Sequence, residues 1–331
     1  MLGLGLEISL EDRGPPAVPL PTLASLNYAL FDPLGGGADI VATGTNLAGA
    51  TAVTVGGTTA TITDATATTV TFTPPAKAAG TYDVVVTTPD GEATLAASLE
   101  SWAPASEASC TYLCERPDYA VAGSAGTWTR RVGGANLTND PGPPATSGAP
   151  NFDGTGHLLG PTLTTLHGTG NFSHFAVLTH TNTQALVLTG GGAGGVASNP
   201  FLTTNGGNGA IGLAAGRVSG TPSVLMQVAQ TGPGNSTANA PAAEGAHHAV
   251  IGAFDSTVGV SISVDGAAFT SPVGGAGVWG STGGALKVGA RYDDSRLFRG
   301  EVRALGILNV TASATFRTKF YAWARQRHGV A

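Results

Sequence analysis

The sequence predicts an all-β protein closed by one C-terminal helix, and three observations lead there. Ala, Gly, Thr and Val dominate, with Gly 50 of 331 residues, about twice the usual share. Charged residues are 11%, less than half the ordinary quarter, while 42% of the chain is hydrophobic and the mean hydropathy is +0.15. Short apolar runs alternate with small polar residues and are separated by turn residues, the pattern of half-buried strands. The same figures exclude other classes. A net charge of −6 gives no cationic surface for a phosphate backbone, so no nucleic acid is expected as partner. The glycines lack a period of three, which excludes collagen. The apolar content is too high for a disordered chain. No run of about 18 apolar residues occurs, so no membrane span is expected.

Residues 1–23 form the first unit, an anchoring arm and linker. Leu2, Leu4, Leu6, Ile8 and Leu10 alternate with Gly3, Gly5, Glu7 and Ser9, which places five large side chains on one face of a strand. The acidic, interrupted start lacks the basic and continuous apolar regions of a secretory signal. The following Gly14-Pro-Pro-Ala-Val-Pro-Leu-Pro21 favours an extended linker. A strand isolated in this way needs a partner edge, on this chain or on another protein.

Residues 24–102 form the second unit. Alternation in Asp39–Gly44, Ala52–Val55, Ala60–Ile62 and Thr69–Phe72, with turns at Gly56-Gly57, Pro74-Pro75, Ala79-Gly80 and Asp90-Gly91, is the spacing of an immunoglobulin-like sandwich. In Gly44-Thr-Asn-Leu47, Val53-Thr-Val-Gly-Gly57, Phe72-Thr-Pro-Pro75, Gly80-Thr-Tyr-Asp-Val-Val-Val86 and Asp90-Gly91 the segment resembles the IPT/TIG family of immunoglobulin-like domains. The resemblance implies a spacer without catalytic residues.

Residues 103–109 are a short linker, and 110–331 a larger sandwich. Its clearest strands are expected at 175–179, 185–189, 224–228, 248–251, 258–264, 285–289 and 301–308, with a tight turn at Asp265-Gly266. Asn151-Phe-Asp-Gly-Thr-Gly156, His247-His-Ala-Val250, Ser261-Ile-Ser-Val-Asp-Gly266, Leu286-Lys-Val-Gly-Ala-Arg291 and Phe298-Arg-Gly-Glu-Val302 resemble the concanavalin A-like lectin/glucanase superfamily in its laminin-G-like branch. That resemblance implies a jelly-roll sandwich, with a sugar or protein bound at its loop rim, sometimes through Ca²⁺. The helix is expected over about 312–328, where Phe316, Phe320 and Trp323 share a face. Arg325, Arg327 and His328 crowd its end, complementing the helix dipole, and read as a solvated face.

No catalytic set emerges. The Glu-x-Asp-x-x-Glu string of glucanases of this fold is absent, and 110–331 holds only Glu115, Glu244 and Glu301 as glutamates. Glu301, beside Arg299 and Arg303, reads as half of a surface ion pair. Gly190–Gly195 formally contains a dinucleotide fingerprint, but no helical period follows it. The histidines read as solvated loop or edge positions. Cys110 and Cys114 read as reduced thiols, a local bridge being the alternative. The adjacent Asp293 and Asp294 are a calcium candidate, and with Trp279, Tyr292 and Arg296 they form the candidate ligand site. No other cofactor is expected.

Arm, linker, spacer and lectin-like head suit a protein held by one end on a large assembly. The expectation is a non-enzymatic structural protein of a tailed-phage virion, assembled in the host cytoplasm and placed on the capsid surface as a decoration protein or head fibre. It would bind the major capsid protein or another virion protein through its arm, self-associate, and brace the shell or hold a host glycan. Two alternatives stand beside it: a bacterial cell-surface carbohydrate-binding adhesin, and a tail-associated glycoside-cleaving or receptor-binding protein.

Overall fold

The computed structural model describes residues 18–139, 145–146, 148–154, 156–162, 170–181, 185–186, 199–204, 211–231, 234–279, 285–289 and 298–331. The leucine ladder of residues 2–10 lies outside them. Two compact units emerge. The first comprises the described residues up to Asn27, Asp39–Pro75 and Thr81–Leu99, and the second comprises Tyr28–Ala38, Ala76–Gly80 and Glu100–Ala331.

The first unit is an immunoglobulin-like sandwich, and its alternating sequence explains it. Strands Ile40–Thr45, Ala52–Val55 and Thr69–Thr73 each bury every second residue. Strand Thr58–Ala65 joins the two sheets. Its first half pairs with Ala52–Val55, as in Val53↔Ala60, and its second half pairs with Thr69–Thr73, as in Ile62↔Phe72. Ile40, Val53, Val55, Val70, Phe72, Val84 and Val86 are fully buried and make its core.

The second unit is a jelly-roll-like sandwich. Its central strand, Phe172–Leu178, is buried at every position. It lies between His248–Asp255 and Arg299–Leu308, with Phe175 opposite both Ile251 and Gly306. The second of these neighbours pairs in turn with Cys110–Ala122, placing Glu115 opposite Ala304. One face of this sheet packs into the sandwich core, through Phe172, Ala176, Leu178, Val250, Phe254 and Leu305. The other face is covered by the helix Ala314–His328, through Phe175, Val177, Ile251, Phe316, Phe320 and Trp323. Cover on both faces is why Phe-Ala-Val-Leu reads as a continuous apolar run. The expected turn at Asp265-Gly266 is present, with φ of 49° and 84° and an Ala267 N–H bond to the Val264 carbonyl.

The helix begins at an Ser313 N-cap, whose hydroxyl accepts the Phe316 N–H at 3.0 Å, and ends at Gly329 in the left-handed conformation. Among the described residues no helix is long and apolar enough to cross a membrane. Three pieces of the expected 24–102 span pack with the second unit instead: Tyr28–Ala38, Ala76–Gly80 and residues 100–102. Leu30 and Phe31 pair in parallel with Glu100 and Ser101, and Leu30 and Trp102 enter the core beneath the helix. Burial of these apolar side chains outweighs their place in the linear order. The 103–109 segment is a packed turn. Ala103 is buried, Pro104–Ser106 forms a 3₁₀ turn, and Trp102 Nε1 donates to Glu107 at 2.9 Å.

Gly306 permits the close approach at the sheet centre. A Cβ there would overlap the Phe175 ring and lie 2.7 Å from the Tyr112 carbonyl oxygen. Gly306→Ala is therefore expected to destabilise the second unit by about 1–3 kcal/mol, through overpacking against a neighbour that cannot retreat. Chemical denaturation of the full chain, followed by tryptophan fluorescence, measures this.

Candidate functional site

Where the helix ends, the sequence places Arg325, Gln326, Arg327, His328 and Gly329 in succession. Arg325 is exposed as expected, but Arg327 and His328 belong to a buried polar junction, contrary to the solvated face expected of them. His328 is 2% exposed and Gln326 1%. The reason lies on the facing elements. Glu115, fully buried on strand Cys110–Ala122, accepts Arg327 Nε at 2.9 Å and is also bonded by Arg131 Nη1. Arg131 holds Asp118 at 2.6 Å. Arg327 Nη1 donates to the Gly35 carbonyl at 2.9 Å, and Gln326 Nε2 donates to the carbonyls of Gly36 and Ala38, each at 2.9 Å. Trp323 Nε1 donates to buried Asp32 at 2.7 Å. Three glycines in a row, Gly35-Gly-Gly37, let the main chain come this close. At Gly37, φ is +85° and a Cβ would stand 2.6 Å from Gln326 Nε2.

Beside this junction lies a cavity of about 660 Å³. Its wall includes Arg116, Arg303, Arg327, Gln326, His328 and Gly37. Arg303 donates from Nε to Glu301 at 2.9 Å and from Nη1 to the His328 carbonyl at 2.6 Å. Glu301 is only 8% exposed, so the surface pair expected of it is a buried one. The His328 ring meets Trp323 edge-on at 4.7 Å, and its Nε2 lies 3.6 Å from Glu115. Gln326 Oε1 and both His328 ring nitrogens are buried without a hydrogen-bond partner among the described residues. Burial, then the surrounding arginines, hold His328 well below its ordinary pKa, so the ring is neutral. Burial, then the Asp32 carboxylate, pushes Glu115 up to about 7, against the pull of Arg131 and Arg327.

Three other histidines also depart from the solvated positions expected, while His157 and His247 are half-buried and His167 lies outside the described residues. His174, His180 and His248 are buried. His248 Nδ1 is 2.6 Å from Asp265, and its Nε2 is 2.9 Å from the Ala243 carbonyl. Two acceptors favour the doubly protonated ring, and the pKa is raised despite burial. His180 Nε2 faces the Ala242 carbonyl at 3.1 Å, and burial lowers its pKa. Cys110 and Cys114 are unbonded and buried, and burial pushes both thiols up to about 12, which leaves them inert.

Of the residues singled out in the sequence, Leu2, Leu4, Leu6, Ile8, Leu10, Tyr292, Asp293, Asp294 and Arg296 lie outside the described residues. Trp279 ends a two-residue strand, Val278–Trp279, opposite Gln230, and its side chain is not among those described. Among the described residues no cluster of His, Cys, Asp or Glu could hold a metal ion. The sequence reading named Glu115 only as one of three glutamates and assigned it no role, and it missed Arg116 and Gln326 altogether. The signal available was a single glutamate between Cys114 and Arg116 in an otherwise apolar strand start.

Residues 30–100 match the model of the IPT/TIG domain family, and this segment is an IPT/TIG domain. No curated protein matches the chain. Among solved structures, Trypanosoma rangeli sialidase in complex with sialic acid aligns at a TM-score of 0.46 and 13% identity, over 73% of this chain and 42% of the sialidase. The chain thus spans less than half of that protein's length. The CBM40 domain of Ruminococcus gnavus IT-sialidase, bound to α2,3-sialyllactose, aligns at 0.36 and 15%, over 46% of this chain and 82% of that domain. Domain 4 of AbnA, a GH43 extracellular arabinanase from Geobacillus stearothermophilus, aligns at 0.39 and 11%, over 63% of this chain and 86% of that domain.

Glu115 provides a direct check on the junction. With its pKa raised in the folded state, its contribution to stability is full below about 4.5 and is lost as the pH rises through about 7. The melting temperature of the wild type, measured against Glu115→Gln, is expected to fall across that window. A difference that stays flat from pH 4 to 8 would show that Glu115 ionises as it does in water.

Proposed function

We propose that this chain is a non-enzymatic binding protein whose IPT/TIG domain acts as a spacer and whose jelly-roll-like unit holds a saccharide. One observation supports this above the others: the second unit keeps a polar cavity of about 660 Å³, while each of the three glutamates in residues 110–331 is bound to an arginine. Glu115 is held by Arg131 and Arg327, Glu244 by Arg217, and Glu301 by Arg303. Glycoside cleavage by paired carboxylates needs one acid and one base free to exchange protons. Planar guanidinium and amide groups at a cavity wall suit sugar hydroxyls, which both donate and accept.

In this reading residues 1–23 anchor the chain to a large assembly, the virion of a tailed phage. The five-residue apolar ladder would complete a sheet edge of the major capsid protein or another virion protein. Self-association at the arm would let several weak heads bind together by avidity.

Two measurements test the proposal. The full chain on an array of immobilised glycans is expected to bind a subset of them, and to release no reducing sugar from polysaccharide. Absence of any bound glycan would remove the saccharide reading, and sugar release abolished by Glu301→Gln would make the protein an enzyme. Deletion of residues 1–12 is expected to abolish attachment to the assembly without lowering the melting temperature. Retained attachment would refute the anchor.

A further inference from the structure

Between the strands Gly234–Pro241 and His248–Asp255 the chain turns through residues 242–247, and two imidazoles fasten that turn. His180 Nε2 faces the Ala242 carbonyl at 3.1 Å, and His248 Nε2 faces the Ala243 carbonyl at 2.9 Å. Both residues are buried, and their ring centroids lie 6.3 Å apart. The turn is also tied by the Ala242 N–H to the Pro222 carbonyl at 3.0 Å, by the Gly245 N–H to the His180 carbonyl at 2.9 Å, and by Arg217 Nε to Glu244 at 3.1 Å.

A carbonyl oxygen only accepts, so each Nε2 must carry a hydrogen. His180 meets this demand as a neutral ring, because its Nδ1 is buried with no partner among the described residues. His248 does not, because its Nδ1 lies 2.6 Å from the Asp265 carboxylate, which also only accepts. Asp265 is itself held in place. Its Oδ1 accepts the Ala249 N–H at 2.9 Å, and its own N–H donates to the Ala249 carbonyl at 2.9 Å. His248 therefore bridges a fixed carboxylate and the turn only while both ring nitrogens are protonated. The Asp265 bond is short and charge-assisted, so the proton that leaves first is the one on Nε2. Two acceptors then face each other across the Ala243 contact.

The charges around the ring are few. Asp265 faces it from the turn after Gly259–Val264, His180 from the end of Phe172–Leu178, and His247 and Glu244 from the turn itself, with Glu244 answered by Arg217. From the helix, Tyr321 bonds Ser263 Oγ and is kept neutral by burial, and Arg317 and Arg325 line a groove with Asp265 on its far side. Asp265 is thus the carboxylate that answers His248.

We propose that His180 and His248 form a clasp that holds residues 242–245 while His248 carries both protons, and that loss of its Nε2 proton to solvent opens the turn. The two rings set opposite limits. His248 is raised above its ordinary 6.5, its hydrogen bonds to Asp265 and Ala243 outweighing burial, so its contribution is full below 6.5 and is lost as the pH rises through the raised value. His180 is lowered by burial, so its contribution is present above 6.5 and is lost as the pH falls through the lowered value.

Amide hydrogen exchange and a histidine ring titration, both followed by NMR on the full chain, test this. The protection factor of the Gly245 N–H is expected to fall about ten-fold or more as the pH rises through the His248 midpoint, while the amides of Phe172–Leu178 keep theirs. The His248 midpoint is expected above 6.5. His248→Gln, which donates to one side only, is expected to lower Gly245 protection at neutral pH and to remove its alkaline fall. Asp265→Asn suits the positive φ of 49° and leaves the ring to the effect of burial, so the His248 midpoint is expected to drop below 6.5 and the fall in protection to move with it. Gly245 protection that stays flat from about pH 6 to 9 would overturn the proposal. So would a fall shared by the amides of Phe172–Leu178, or a His248 midpoint that Asp265→Asn leaves unmoved.

Discussion

Glu115 has no contact with solvent, and the C-terminal end of the helix is built around that constraint. A buried carboxylate must be paired or neutralised, because water is absent to stabilise its charge. Here Arg131 approaches from the adjacent strand, Arg327 from the helix, and His328 from the last helical turn. The desolvation of such a group offsets most of what its ion pairs contribute. The junction therefore adds less to stability than to placement: it fixes where the helix stops and which side chains face the cavity. The segment Gly35–Ala38 is part of the same arrangement, since its carbonyls accept Arg327 and Gln326.

The apolar half of the helix seats it on the sheet. Phe316, Phe320 and Trp323 pack on Phe175, Val177 and Ile251, with Phe175 and Phe320 ring centroids 5.2 Å apart. Burying several aromatic rings is the large favourable term, of the order of 1.5–3 kcal/mol for each fully buried side chain. The polar junction then removes the remaining freedom of the helix to slide along the sheet. Trp323 joins the two halves, with its ring in the apolar core and its Nε1 on Asp32.

This division explains why the site was hard to read. Arg327 and His328 looked like part of a solvated helix end because cations favour that position on an isolated helix. Their partners Glu115, Asp32 and Gly35 are remote in sequence, and Glu115 sits 212 positions from Arg327. Glu301 beside Arg303 was legible as an ion pair because the partners are two residues apart. Its burial was not, because that depends on what covers the strand. The histidines follow the same rule. His248 faces Asp265 across a strand pair, so its charged state depends on sheet register rather than on neighbouring residues.

What the sequence by itself determined is the local and the periodic: alternating strands of the first unit, the IPT/TIG motifs, the Asp265-Gly266 turn, the capped helix and its apolar face. Each rests on a backbone preference or on a side-chain period of about two or 3.6 residues, which a short window already contains. What only the tertiary structure decided is which segments share a core and which polar groups are enclosed there. Residues 28–38 packing with the second unit, Glu115 beneath the helix end, and Arg116 beside paired arginines all follow from chain crossings that bring distant residues together. Burial, and with it the charge state of every group in the cavity wall, is a property of those crossings and of no single stretch of sequence.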